Sequence, residues 1–130
     1  MKKLNWGILG LGQIANEFAE TFNVDNAVLY AAGSRNIKKA AAFAETHGIK
    51  KSYGSYEELL ADPSIDVVYI ATPHSHHADL ILKSLEHGKH VLSEKAITMN
   101  NNQLAQAMKL AEEKNLIVSE AMVIYHMPLY

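Results

Sequence analysis

Three small residues near the start of the chain have the spacing of a phosphate-binding turn. Gly10, Gly12 and Ala15 follow the apolar segment Leu4–Leu9 and fit the pattern G-x-G-x-x-G/A. The first glycine allows a tight turn, the second lets a phosphate approach the backbone, and the alanine lets the next helix pack closely. That helix would offer free N–H groups and a positive dipole end to an anion. The turn therefore predicts a dinucleotide pyrophosphate site, and the alternative is a plain strand-to-helix turn that binds nothing.

Residues at the end of the second predicted strand bear on the choice of cofactor. An acidic residue there would hold the ribose hydroxyls of NAD. This chain instead has Ser34 and Arg35, with Lys39 about one helical turn later. A hydroxyl and a guanidinium suit a 2′-phosphate, which arginine can bind through two parallel hydrogen bonds. The segment therefore favours NADP and leaves NAD possible, while a solvated basic start of a helix remains the alternative.

The segment ATPHSHH, residues 71–77, follows the fourth predicted strand at the edge where open α/β sheets bind ligands. Thr72 can hydrogen-bond a ribose or a carboxamide, Pro73 fixes the turn, and His77 lies about one turn into the next helix. His74 and His77 share a helical face, but a metal needs a third ligand and no nearby carboxylate has clear spacing. No metal is expected, and capping and solvation account for most of these imidazoles.

Glu94 and Lys95 end the fifth predicted strand, again at the carboxyl edge of the sheet. A lysine there can donate to a substrate hydroxyl or carbonyl oxygen beside a nicotinamide. It can also move a proton if burial lowers its pKa. Taken without any family, an ordinary surface Glu-Lys pair explains these two residues better.

The composition narrows the class of protein. The chain has 130 residues, 48 % apolar and 20 % charged, which is enough for one globular domain with a core. A net charge of −2 gives no electrostatic signal for nucleic acid or an anionic membrane. The absence of cysteine excludes disulfides and thiolate catalysis. No apolar run approaches the roughly 20 residues of a membrane span. The first predicted strand begins at residue 4, so we expect no signal peptide and a cytoplasmic protein.

Strand and helix patterns alternate along the whole chain. The predicted strands are 4–9, 27–34, 51–53, 66–71, 90–92 and 116–119. The predicted helices are 13–22, 37–47, a short helix capped by Ser55 and ending at 60, 75–87 and 101–115. This order predicts a doubly wound parallel sheet of about six strands in a three-layer α/β/α, Rossmann-like architecture.

Four segments together resemble the N-terminal cofactor domain of the Gfo/Idh/MocA oxidoreductase family. They are GILGLGQIA, AGSRN, ATPHSHHADL and GKHVLSEKA, and they occur in the family's order and spacing over nearly all 130 residues. The resemblance implies a dehydrogenase that transfers hydride between NAD(P) and a hydroxyl or carbonyl carbon, usually of a sugar, cyclitol or diol. The alternative from another class is a non-catalytic module that senses or binds NAD(P).

The resemblance also implies a role for each candidate residue. The pyrophosphate would lie against Gly10, Gly12, Gln13 and Ile14, and the adenosine end against Ser34, Arg35 and Lys39. The nicotinamide half would be lined by Thr72, Pro73 and His77, with Glu94 near its ribose. Lys95 would be the catalytic lysine of the family's Glu-Lys-Pro signature. This chain departs from the family at Ala96, which replaces that proline, and at His74, where the family often has asparagine.

The resemblance implies a division into domains. Residues 1–120 would form the dinucleotide-binding domain, and 121–130 would begin the crossing into a substrate domain absent from this chain. That second domain would supply substrate contacts, a further acid-base residue and a dimer surface. We therefore expect a fragment that is inactive alone, from a full-length homo-oligomer acting on a small polyol or sugar-like molecule.

Overall fold

The computed structural model describes residues 3–22, 26–72, 77–93 and 101–120. The strands are β1 (Leu4–Leu9), β2 (Ala27–Gly33), β3 (Lys51–Tyr53), β4 (Val67–Ile70), β5 (His90–Ser93) and β6 (Val118–Glu120). The helices are α1 (Gln13–Thr21), α2 (Ile37–His47), α3 (Tyr56–Leu60), α4 (His77–Glu86) and α5 (Asn101–Lys114). None of these described helices is long and apolar enough to cross a membrane.

All six strands form one parallel sheet in the order β3-β2-β1-β4-β5-β6. The strand order reverses between β1 and β4, which is the arrangement of a doubly wound Rossmann-like fold. Every residue of β4 is buried, as expected for a central parallel strand covered on both faces. The predicted fold class and number of strands are therefore confirmed.

The two faces of the sheet carry separate hydrophobic cores. Helices α1 and α2 cover one face, where Phe18 stacks on Tyr69 with ring centroids 3.9 Å apart. Helices α3, α4 and α5 cover the other face, where Leu59 and Ile81 are fully buried. Each helix packs one apolar stripe on the sheet, so two cores hold the strands from opposite sides.

Side chains and a glycine define the ends of α2 and α3. The Asn36 side chain accepts hydrogen bonds from the N–H groups of Lys38 and Lys39 at the start of α2, and Gly48 ends that helix at φ +66°. The predicted cap on α3 is confirmed, because Ser55 Oγ accepts from the Glu58 N–H at 3.2 Å. These contacts satisfy amide groups that the helices leave unbonded in their first turns.

The predicted last strand began two residues too early. Asn115 has φ +57° and the Leu116 N–H donates to Ala111 O at 2.8 Å, so these residues close helix α5. The Ile117 N–H donates to His90 Nδ1 at 3.0 Å. Strand β6 therefore begins only at Val118.

Tyr53 predicts a stability change at alkaline pH. Its hydroxyl donates to Asp62 Oδ2 at 2.5 Å, and burial together with this carboxylate raises the pKa of Tyr53 to about 12 from 10.0. A folded-state pKa above the unfolded value contributes stability below pH 10 that is lost as the pH rises through about 12. Tyr53→Phe should lower the free energy of unfolding by about 1.5 kcal/mol near neutral pH. Its difference from the wild type should shrink above pH 10.

Denaturant unfolding at a series of pH values measures this difference. Tyr56→Phe is a matched control, because the Tyr56 hydroxyl makes no hydrogen bond to a carboxylate that the structure describes. A Tyr53→Phe difference that stays constant up to pH 12 would contradict the assigned coupling.

Candidate functional site

The carboxyl ends of β1, β2 and β4 meet where the strand order reverses. The Gly10 N–H donates to Gly33 O at 3.1 Å, and the Ala71 N–H donates to Leu9 O at 2.8 Å. Gly10 has φ +92°, and a Cβ built on it would lie 2.8 Å from Thr72 Cγ2. The fold therefore brings the glycine turn, residues 10–12, and the segment after β4 into contact.

Gly12 leaves the N-terminus of α1 open. It is the N-cap residue, with no side-chain cap and no acidic residue in the first helical turn. A Cβ built on Gly12 would meet no atom of the described residues within 4 Å, and Gln13 and Ile14 are exposed beside it. The first-turn N–H groups face a space that a phosphate can enter. The residues present therefore fit a pyrophosphate.

A second layer of contacts lies behind the turn. Asn16 Nδ2 donates to Gly12 O at 3.1 Å, and Asn16 Oδ1 lies 2.8 Å from His47 Nε2 on α2. Sequence reasoning missed both residues. The position of Asn16 four residues after Gly12 was a usable signal, since i to i−4 side-chain bonds are common for such residues. His47 lies 31 residues further along the chain and gave no signal.

The residues expected at the adenosine end differ in their surroundings. Ser34 is buried, and its Oγ accepts from the Asn36 N–H at 3.2 Å. Arg35 and Lys39 are exposed, and neither forms an ion pair with any described carboxylate. Asn36, which sequence reasoning did not single out, holds the start of α2 and thereby the place of Lys39. Two cations are thus available next to the end of β2.

The nicotinamide half is described only in part. Thr72 is buried against the glycine turn, and His77 begins α4. Ser93 ends β5 in register with Ile70, so the described chain reaches the carboxyl edge of the sheet immediately before position 94. The candidates Pro73, Glu94 and Lys95 lie outside the described residues, as does the side chain of His77.

Comparison with known families gives an independent assignment. The model for the oxidoreductase family with an NAD-binding Rossmann fold, Gfo/Idh/MocA, matches residues 4–122. The chain belongs to this family. The match agrees with the geometry of the glycine turn and confirms the resemblance found in the sequence.

Two curated relatives cover almost all of this chain. It is 40 % identical over 129 residues to a trans-1,2-dihydrobenzene-1,2-diol dehydrogenase of Xenopus laevis, which covers 96 % of this chain and 39 % of the relative. It is 38 % identical over 139 residues to a D-xylose 1-dehydrogenase (NADP(+)) of Hypocrea jecorina, which covers 97 % of this chain and 36 % of the relative. The chain therefore spans less than two fifths of the length of these relatives.

Solved structures show the same fold. A 3-ketoreductase from Actinomadura kijaniata, in complex with NADP and TDP-benzene, matches with a TM-score of 0.86 and 30 % identity over 98 % of this chain and 39 % of that chain. A scyllo-inositol dehydrogenase from Lactobacillus casei matches with a TM-score of 0.84 over 97 % of this chain and 38 % of that chain. Its 24 % identity supports the fold alone.

Alanine substitutions at Gly10 and Gly12 should separate folding from binding. At position 10 the Cβ would lie 2.8 Å from Thr72 Cγ2 at φ +92°, so we expect stability to fall by about 1–3 kcal/mol. At position 12 an alanine meets no atom within 4 Å in the part of the chain that the structure describes and fits φ −89°, so stability should change by less than about 0.5 kcal/mol. Binding of NADPH to Gly12→Ala should weaken by about tenfold or more, because the methyl group occupies the phosphate space.

Thermal unfolding and nicotinamide fluorescence measure the two effects. Gly48→Ala is a control for φ strain alone, since Gly48 has φ +66° with no atom within 4 Å of a built Cβ. Unchanged NADPH affinity in Gly12→Ala would show that Gly12 does not face the cofactor.

Proposed function

We propose that this chain binds NADP as the cofactor part of a dehydrogenase or reductase acting on a sugar-like or diol substrate. The observation that carries the proposal is the open N-terminus of α1 at the switch point of the sheet. There no atom of the described residues lies within 4 Å of a Cβ built on Gly12, while Gly10 is packed against Thr72. One glycine thus sets the turn and the other leaves room for a ligand.

The pyrophosphate would be held by backbone groups of the turn. Gly10 and Gly12 provide the close approach, and the N–H groups of Gln13 and Ile14 would bind the phosphate oxygens with the support of the helix dipole. The exposed side chain of Ile14, at 44 % of its full accessible area, would cover the bound dinucleotide on one side.

The adenosine end would be held by Ser34, Arg35 and Lys39. The free guanidinium of Arg35 suits the 2′-phosphate that distinguishes NADP from NAD, and Lys39 adds a second positive charge. The xylose dehydrogenase relative carries NADP(+) in its name, and the similar 3-ketoreductase was solved with NADP. Both support NADP as the preferred cofactor of this chain.

The reacting end would be formed by residues after β4 and β5. Thr72, Pro73 and His77 would line the nicotinamide half, with Glu94 near its ribose. The bound nicotinamide would supply or accept the hydride. Lys95 would donate a hydrogen bond to the reacting oxygen and exchange a proton with it. Its ammonium group would thereby stabilise the negative charge that develops on this oxygen. Ala96 follows this lysine in place of the family's proline, and we do not interpret the replacement as loss of activity.

The names of the relatives support the proposed substrate class. The resemblance found in the sequence supports the proposed division into domains. The names of the two curated relatives specify a diol and an aldose sugar. We assign residues 1–120 to the cofactor domain and 121–130 to the crossing into a substrate-binding part. We place the dimer surface of a homo-oligomer in that second part.

Arg35→Ala should remove the preference for NADPH. We expect the Kd for NADPH to rise by about tenfold or more, since a charge-assisted bidentate contact is lost, while the Kd for NADH changes by less than about twofold. Nicotinamide fluorescence during titration of each cofactor measures both constants. Lys38→Ala is the matched control, because Lys38 is an exposed cation in the first turn of α2, three residues after Arg35, and we assign it no contact with the cofactor.

Two results of these titrations would count against the proposal. A wild-type chain that binds neither NADPH nor NADH would contradict cofactor binding. Equal affinity for the two cofactors in the wild type would remove the role given to Arg35 and leave the role of the glycine turn.

Lys95→Ala should lower turnover far more than cofactor affinity. We expect kcat of the active enzyme to fall by about 100-fold or more, because general acid-base groups contribute about that much, with the Kd for NADPH unchanged within about twofold. Steady-state kinetics and cofactor titration measure the two quantities, and Lys89 is unsuitable as a control because it is buried. Turnover that survived Lys95→Ala would assign the proton to another residue.

A further inference from the structure

The carbonyl of Gly12 accepts two hydrogen bonds from one residue. The Asn16 N–H donates to it at 3.1 Å as the first bond of α1, and Asn16 Nδ2 donates to it at 3.1 Å as well. Within the described ranges no residue packs where a side chain at Gly12 would be, so packing by these residues does not hold this peptide. Glycine also has the most backbone freedom of any residue. The two hydrogen bonds therefore supply the restraint that packing does not.

Fixing the Gly12 carbonyl also fixes the next N–H group. In a planar trans peptide the C=O of one residue and the N–H of the next point in opposite directions. The Gly12 carbonyl points along α1 toward Asn16, so the Gln13 N–H points out of the helix N-terminus. This is the direction in which the pyrophosphate would lie, because α1 begins at the open face of the turn.

His47 fixes the orientation of the Asn16 amide. Nδ2 must face the Gly12 carbonyl, since turning the amide over would place two acceptors against each other. Oδ1 therefore faces His47, and the ring must donate from Nε2 across the 2.8 Å contact. The imidazole itself packs on the ring of Phe43, with centroids 4.5 Å apart, and Phe43 is buried in the core. The last turn of α2 thus anchors the side chain that holds the turn.

We infer that Asn16 and His47 are positioning residues for the pyrophosphate. They act through the Gly12 carbonyl and direct the Gln13 N–H toward the phosphate, while neither touches the cofactor. The inference rests on the proposed NADP binding at this turn. It adds a chain of three contacts that connects the end of α2 to the phosphate site.

Asn16→Ala removes the contact at its centre. We expect the Kd for NADPH to rise about fivefold, the value of one hydrogen bond that helps hold a binding group. Adenosine 2′-monophosphate lacks the pyrophosphate, so its affinity, measured by displacement of NADPH, should stay within about twofold. A general loss of structure would instead weaken both ligands. Thr21→Ala is the control, because it removes a bond of the same type within α1, from Thr21 Oγ1 to Glu17 O.

Two substitutions at His47 separate hydrogen bonding from packing. His47→Gln keeps an N–H donor at an equivalent position, and His47→Phe keeps an aromatic ring on Phe43 without the donor. We expect the Kd for NADPH to rise about threefold in His47→Phe and to stay near the wild-type value in His47→Gln. This pair tests the inference even if Asn16→Ala does not fold.

The outcomes distinguish a failure of the positioning role from a failure of the proposed NADP binding on which it rests. If the wild type binds NADPH and both Asn16→Ala and His47→Phe bind it with the same affinity as the wild type, the positioning role is overturned. The proposed function is then left intact. Equal weakening of NADPH and adenosine 2′-monophosphate would assign Asn16 a purely structural role. Failure of the wild type to bind NADPH would overturn both proposals together.

Discussion

No side chain fits where β1 turns into the site, and the geometry around Gly10 depends on this restriction. A Cβ there would lie 2.8 Å from Thr72 Cγ2, 3.0 Å from Thr72 N and 3.1 Å from Ala71 C. Two of these three atoms belong to the backbone, so they could retreat only if the chain after β4 moved. The Gly10 N–H also donates to Gly33 O. These contacts, most of them with backbone atoms, therefore hold the ends of β1, β2 and β4 close together at this turn.

The helix N-termini differ in whether a side chain caps them. Helices α2 and α3 satisfy amides of their first turns with their own side chains, from Asn36 and Ser55. Helix α1 begins at Gly12 and has no such side chain. The lack of a side-chain cap at Gly12 forgoes about 1 kcal/mol of capping stability. That loss is compensated when an anion binds there, so a weak point of the isolated fold becomes the place where a ligand stabilises it.

Patterns within ten or fifteen residues predicted most of the fold. The bounds of β1, α2 and β3 agree with the expectation, because alternating apolar runs, Gly48 and the short polar connections are local signals. The predicted start of β6 was wrong because Asn115 adopts φ +57° and the Ile117 N–H donates to His90, which is distant in sequence. The sequence also placed Gly10, Ser34 and Thr72 at one edge of the sheet, because each follows a predicted strand. It missed the contact between Asn16 and His47, which again joins residues distant in sequence. Contacts between different helices depend on how those helices pack, and no local pattern encodes them.

The site separates what must be held by backbone from what can vary. The place of the turn depends on the lack of a side chain at Gly10, on the backbone bond from Gly10 to Gly33 and on the strand register. Arg35 and Lys39, by contrast, are exposed and make no ion pair within the described parts of the chain, so changing either leaves the folded core as it is. If the proposed cofactor binding holds, discrimination between NADP and NAD would change by substitution at the end of β2, while the glycine turn would still hold the pyrophosphate.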